Sequence, residues 1–256
     1  WYFDENGQKT MPFCVLLEAA LQPCGWLASF VGSALTTDQE LFFRNLDGTG
    51  TLKAELLPAC GTLRTRTKIT NISQSAGMII ESFDVECYLG ETLVYDLKTV
   101  FGFFPDDALR NQKGLDTTDT QRAHLTDSSP RSVDLMEGHA RYSSGTCKLA
   151  RDGLLMIDRV TGIWPKGGEH GLGRYRSEKD IDPDAWFFKA HFFQDPVQPG
   201  SLGIEAMIQL LQFAMLDQGM DAGFANPRFE SLALDHAMSW KYRGQVKPHN
   251  AMMQAT

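Results

Sequence analysis

Residues 11–35 read MPFCVLLEAALQPCGWLASFVGSAL, with apolar side chains at helical spacing on nearly every face and one carboxylate, Glu18, among them. A helix of this kind buries its surface only when something wraps it. The sequence supplies the wrapping next. ELFFRNLDG, GTLRTRTKITNI, GMIIESFDVECYLG and ETLVYDLKTVFGFF alternate apolar with polar residues, are rich in β-branched and aromatic side chains, and are separated by Gly or Asn-Asp turns. That pattern predicts an antiparallel meander. A long helix followed by such strands is expected to give an α+β unit, one sheet curved around one helix.

The pattern returns later in the chain. Written under MPFCVLLEAALQ at a constant offset of 187 residues, QPGSLGIEAMIQ matches Pro12 with Pro199, Glu18 with Glu205, Ala19 with Ala206 and Gln22 with Gln209. WYF at Trp1–Phe3 matches WFF at Trp186–Phe188 when two residues are skipped, so the strand expected to enter each helix repeats too. A duplication of this length predicts two similar units. The expected division is a first unit over 1–104, a polar linker rich in Asp, Thr and Ser over 105–138, and a second unit over 139–256. Strand-like HARYSSGTCKLA, GLLMIDRVTGIWP, GLGRYRSEKDI and ALDHAMSWKYRGQV belong to the second unit. It stops before counterparts of the last two strands of the first, which predicts a piece of a longer polypeptide. Sheet edges left unpaired in such a piece favour association with a second copy.

Composition excludes several classes. A net charge of −8 without a long basic run gives no electrostatic footprint for nucleic acid. Five cysteines, odd in number and without Cys-x-x-Cys spacing, suggest neither a disulfide framework nor a zinc site, and fit a reducing cytoplasm. No metal site is expected. Glu18, Gln22 and Glu205 interrupt the longest apolar stretches before the roughly 20 residues a bilayer crossing needs, so neither a membrane span nor an export signal is expected.

LLMIDRVTGIWPKGGEHGLGRYRSEKDIDPDAWFFKAHFFQDPVQPGSLGIEAMIQLLQFA, followed by MSWKYRGQVKP, closely resembles the FabA-like β-hydroxyacyl-acyl-carrier-protein dehydratases of bacterial fatty-acid synthesis, the type that also isomerises double bonds. The likeness runs from about Gly153 to Pro248 and is fainter over Trp1–Phe104. It implies a double hot-dog: two units, each a sheet wrapped on a central helix, as in the dehydratase region of a polyunsaturated fatty acid synthase multienzyme. The family's active site takes a histidine from one hot-dog and an acid from the central helix of the other. The resemblance thus implies a catalytic pair of His191 with Glu18. Glu205 would be a vestigial acid, because the first repeat shows no equivalent histidine. Both halves carry Glu where the closest family type carries Asp, which weakens the expectation of isomerase activity.

These residue types suit the reaction. Neutral imidazole takes a proton near physiological pH, so His191 suits removal of the proton next to a thioester carbonyl. A carboxyl in an apolar setting keeps its proton, so Glu18 suits protonation of the leaving hydroxyl. Backbone N–H groups of Gly200 and Ser201 at the helix start are candidates for the oxyanion, and Gln22 stands one turn from Glu18, where it would orient the acid. No cofactor is expected beyond the phosphopantetheine of an acyl carrier protein, which with neighbouring multienzyme domains is the expected partner. Hot-dog thioesterases and non-catalytic acyl-binding pseudo-dimers are the alternatives. Cys14 reads as a core residue, Asp195 as a turn residue, and the basic sets Arg64, Arg66, Lys68 and Arg174, Arg176 as solvated strand faces.

Overall fold

The computed structural model describes all 256 residues, Trp1–Thr256. In chain order the helices are α1 Tyr2–Glu5, α2 Phe13–Phe30, α3 Asp106–Arg110, α4 Asp119–His124, α5 Ala140–Ser143, α6 Trp186–Ala190 and α7 Gly200–Asp217. The strands are β1 Phe42–Leu52, β2 Leu63–Ser75, β3 Met78–Leu89, β4 Thr92–Phe104, β5 Val133–Asp134, β6 Arg159–Trp164, β7 Arg174–Asp180, β8 Ala237–Lys241 and β9 Met252–Ala255. They form a five-stranded antiparallel sheet, β2-β3-β4-β1-β8, and a four-stranded one, β5-β6-β7-β9.

Two compact units result, and their borders differ from those read off the repeat. One comprises Trp1–Cys14, Asp116–Glu230 and Gln245–Thr256; the other Val15–Leu115 and Ser231–Gly244. The first fourteen residues pack with the second repeat because Glu5 O accepts from Arg151 N–H at 2.9 Å and Gln8 Oε1 from Phe229 N–H at 3.1 Å. Conversely, β8 lies in the second repeat yet pairs with β1, Trp240 opposite Gly48. A Cβ at Gly48 would lie 2.3 Å from the Trp240 ring, so only glycine leaves room there. Trp240 Nε1–H also donates to Asn45 Oδ1 at 2.9 Å.

In the unit built on Val15–Leu115, β3 alternates as its sequence predicts, burying Ile79, Glu81, Phe83, Val85 and Cys87. The β2–β3 hairpin closes through Ala76 and Gly77, both at positive φ, the backbone a two-residue hairpin loop demands. Helix α2 buries Leu16, Leu17, Ala20, Leu21, Cys24 and Ala28, and the missing side chain of Gly25 lets the Phe43 ring come close. Burial on all sides is not what the helix achieves: Trp26 is 65% and Phe30 73% exposed. Phe13–Thr36 also meets the length and composition of a bilayer-crossing helix, contrary to expectation, with 39% of its most apolar window buried. The expectation took Glu18 and Gln22 as interruptions, whereas two polar residues do not offset so many apolar neighbours.

In the unit containing α7, the expected strand HARYSSGTCKLA is instead α5 followed by irregular chain. Tyr142 stacks on Phe213 with ring centroids 4.4 Å apart, and that contact replaces ladder pairing. The polar linker carries α3, α4 and the short β5. Thr118 and Gln121 form a capping box at the start of α4.

Candidate active site

His191 caps the C-terminal end of the short helix α6. Its Nδ1 lies 2.9 Å from the carbonyl of Val197. A carbonyl oxygen only accepts, so Nδ1 holds the proton and, in the neutral ring, Nε2 keeps its lone pair. The ring is half-buried against Phe192, centroids 4.1 Å apart. Between His191 and Val197 the chain turns through Gln194, whose φ of 56° is left-handed and unusual for a residue with a side chain. Val197, Gln198 and Pro199 are buried, and Gln198 N–H bonds Val246 O at 2.9 Å, which fixes the segment delivering the Val197 carbonyl.

Pro199 then caps α7, and no side chain caps the first turn. The N–H groups of Gly200 and Ser201 therefore have no intrahelical acceptor, at the positive end of an 18-residue helix. Ser201 is 1% exposed and its Oγ has no protein partner. Such a hydroxyl is a donor available to a bound oxygen.

Glu205 is the other acid of the repeat, 4% exposed. Burial pushes its carboxyl above the ordinary range, while hydrogen bonds from Gln209 and from the thiol and backbone N–H of Cys14 work in the opposite direction. Gln209, fully buried, donates to Glu205 Oε1 at 2.9 Å and to Leu154 O at 2.8 Å, and accepts from Met156 N–H at 2.7 Å. Because the folded-state value is raised, the stability Glu205 contributes is complete below the ordinary glutamate value and is lost as pH rises through the raised one. Glu205→Gln, which cannot ionise, is expected to gain thermal stability relative to the parent as pH rises from 5 to 9, and to retain most of any catalytic turnover. Melting curves across that range check the first point.

The partner of Glu205 belongs to the first repeat, and so does the residue in the place of His191. The entry segments expected to be strands are both short helices: α1 is capped by Asn6 as α6 is capped by His191. Tryptophan rings at their starts, Trp1 and Trp186, meet edge to face at 5.3 Å. Asn6 Nδ2–H donates to Thr10 O at 2.7 Å, and Thr10 stands 187 residues before Val197, the acceptor for His191. Asn6 thus keeps the hydrogen bond and has no basic ring nitrogen. Its equivalence to His191 was visible in WYFDEN written over WFFKAH without a gap, whereas the helices alone set the offset two residues differently.

The acid of the first repeat, Glu18, is half-buried on α2. Nearby Tyr242 has a buried hydroxyl without a hydrogen-bond partner; burial raises its phenol, and the charges of Glu18 and Tyr95 add to that. A phenol so held stays protonated and available as a donor. Gln22 is exposed, unlike its counterpart Gln209. Cys14 serves Glu205 as a donor within the core. No group of three or more His, Cys, Asp or Glu is placed to hold a metal ion.

Residues 149–256 match the FabA-like domain. Over 96% of its length the chain is 31% identical to a polyunsaturated fatty acid synthase subunit of Thraustochytrium sp., of which it spans 17%. Among solved structures it is similar to HtdX of Mycobacterium tuberculosis, at 11% identity and a TM-score of 0.40 over 98% of this chain and 78% of that one. A MaoC-like dehydratase from Phytophthora capsici gives 13% identity and a TM-score of 0.37 over 83% and 60%.

Proposed function

We propose, from the match of residues 149–256 to the FabA-like domain, that the chain dehydrates 3-hydroxyacyl thioesters carried on an acyl carrier protein, as part of a multienzyme that makes unsaturated fatty acids. The observation that carries the reading is the 2.9 Å contact of His191 Nδ1 with Val197 O: a carbonyl only accepts, so Nδ1 is the donor there and Nε2 is left to act as the base. In the proposed reaction Nε2 takes the C2 proton and the electron pair moves onto the thioester oxygen. The N–H groups of Gly200 and Ser201 hold that oxyanion. As the C2–C3 double bond forms, the C3–O bond breaks and a carboxyl proton goes to the departing hydroxide, which leaves as water.

The acid in this proposal is Glu18, and the support comes from the repeat. Cys14, at the start of the first-repeat helix, donates to Glu205, the acid of the second-repeat helix. Ser201 holds the place of Cys14 in the second repeat, and Glu18 holds the place of Glu205 in the first. The same exchange gives one set with a base, His191 with Glu18, and one without, Asn6 with Glu205. Gln22 is proposed to orient Glu18 as Gln209 orients Glu205. No cofactor beyond the carrier's phosphopantetheine enters this scheme.

Incubation with a 3-hydroxyacyl thioester of N-acetylcysteamine or carrier protein separates the readings by product. The trans-2-enoyl thioester is expected. Release of a free acid would instead indicate a thioesterase, and no turnover on either carrier a non-catalytic acyl-binding role.

A further inference from the structure

Ser201 is a buried side chain beside the proposed base that no hydrogen bond in the protein explains. At 1% exposure its Oγ has no partner, although the helix offers two acceptors by spacing. Four residues back is the carbonyl of Val197, the usual acceptor of a helical serine, and it accepts from His191 Nδ1–H instead, at 2.9 Å. Four residues on is Glu205, which takes its donors from Gln209 and Cys14. A buried hydroxyl left unbonded costs stability that alanine in the same place would not. The repeat shows the alternative. Cys14, which holds the place of Ser201 in the first repeat, has its thiol committed to Glu205, and the histidine position of that repeat is Asn6. The donor is thus engaged in the repeat that lacks an imidazole and unengaged in the repeat that has one.

The direction of the side chain decides what the hydroxyl can meet. A helical Cα–Cβ bond tilts toward the helix N-terminus, so Ser201 Oγ leans to the end of α7 where the N–H groups of Gly200 and Ser201 have no intrahelical acceptor. Three donors then stand at the positive end of one helix, and no side chain caps that turn. From this we infer that Ser201 is a further catalytic residue, its hydroxyl donating to the thioester oxygen as charge develops there. The inference rests on the dehydratase reading. The Ser201 O–H bond stays intact throughout: its hydrogen bond strengthens while the oxygen carries charge and relaxes when the carbonyl re-forms.

The test is steady-state kinetics of Ser201→Ala in the 256-residue chain, with a 3-hydroxyacyl N-acetylcysteamine thioester and its C2-deuterated form as probes, beside melting curves. kcat is expected to fall by about 10² to 10³, the effect of removing one oxyanion donor. KM should change far less, because the bond is strong only in the transition state. The melting temperature should equal or exceed that of the parent, since the unbonded hydroxyl is gone. The C2-deuterium isotope effect should be at least as large as the parent's, proton removal having become the slower step. Ser201→Cys keeps a side chain of similar size with a weak donor, and its kcat should fall between those of the alanine variant and the parent. An alanine variant within about threefold of the parental kcat, far short of an oxyanion donor's effect, would overturn the inference and leave the dehydratase reading intact. So would a loss of activity that accompanies a lower melting temperature, which would make Ser201 a packing residue. An isotope effect that collapses in the variant would assign the hydroxyl to the leaving group and overturn its place at the thioester oxygen. A parent chain without turnover would contradict the dehydratase reading itself, and the inference would fall with it.

Discussion

Replacing His191 with asparagine is expected to lower kcat/KM for 3-hydroxyacyl thioester dehydration by about 10² to 10⁴, the usual worth of a general base, with the fold unchanged. The chain itself supplies the reason for choosing asparagine. Asn6 occupies the matching position and donates to Thr10 O as His191 donates to Val197 O, so the substitution keeps the local hydrogen bond and removes only the basic nitrogen. The ring contact with Phe192 is lost, but at a half-buried site this is expected to cost little stability. Steady-state kinetics beside a melting curve separate the two effects. Turnover near that of the parent would remove His191 from the mechanism, and a large fall in melting temperature would make it a core residue.

Glu18→Gln is expected to lower turnover by about 10² or more, since an amide cannot donate as an acid while matching the carboxyl in size. The neighbouring phenol of Tyr242 is not expected to compensate. Burial holds it protonated, and a group that retains its proton so firmly is a poor donor to a leaving hydroxide. KM should change less than kcat, because the proton is transferred in the transition state and contributes little to binding. A product mixture unchanged by the substitution, formed at the parent rate, would contradict the assignment.

Both central helices and the four long strands of the first sheet were legible in the sequence, because their apolar periods are long and Gly61, Gly77 and Gly90, all at positive φ, mark the turns. Trp1–Cys14 and β8 were less so. Each sits in sequence beside one repeat and packs with the other, and only long-range contacts such as Gln8 with Phe229, or Trp240 over Gly48, decide between those partners. Periodicity could not separate the short entry helices from strands, since four or five aromatic-rich residues satisfy both patterns. The histidine at 191, the proposed base, was readable from its motif. Its tautomer was not, because that depends on a carbonyl six residues away. Asn6 went unread for a simpler reason: a gap of two residues lies between it and the helix that set the alignment.

The central claim is that the duplicated chain runs one site with His191 as base and Glu18 as acid, while Glu205 keeps a structural place beside Gln209 and Cys14. Its most direct measurement is kcat for Glu18→Gln and Glu205→Gln in one assay, on preparations shown to be equally folded. The account predicts a loss of about 10² or more for the first and near-parental turnover for the second. Loss confined to Glu205→Gln, with Glu18→Gln fully active, would contradict it.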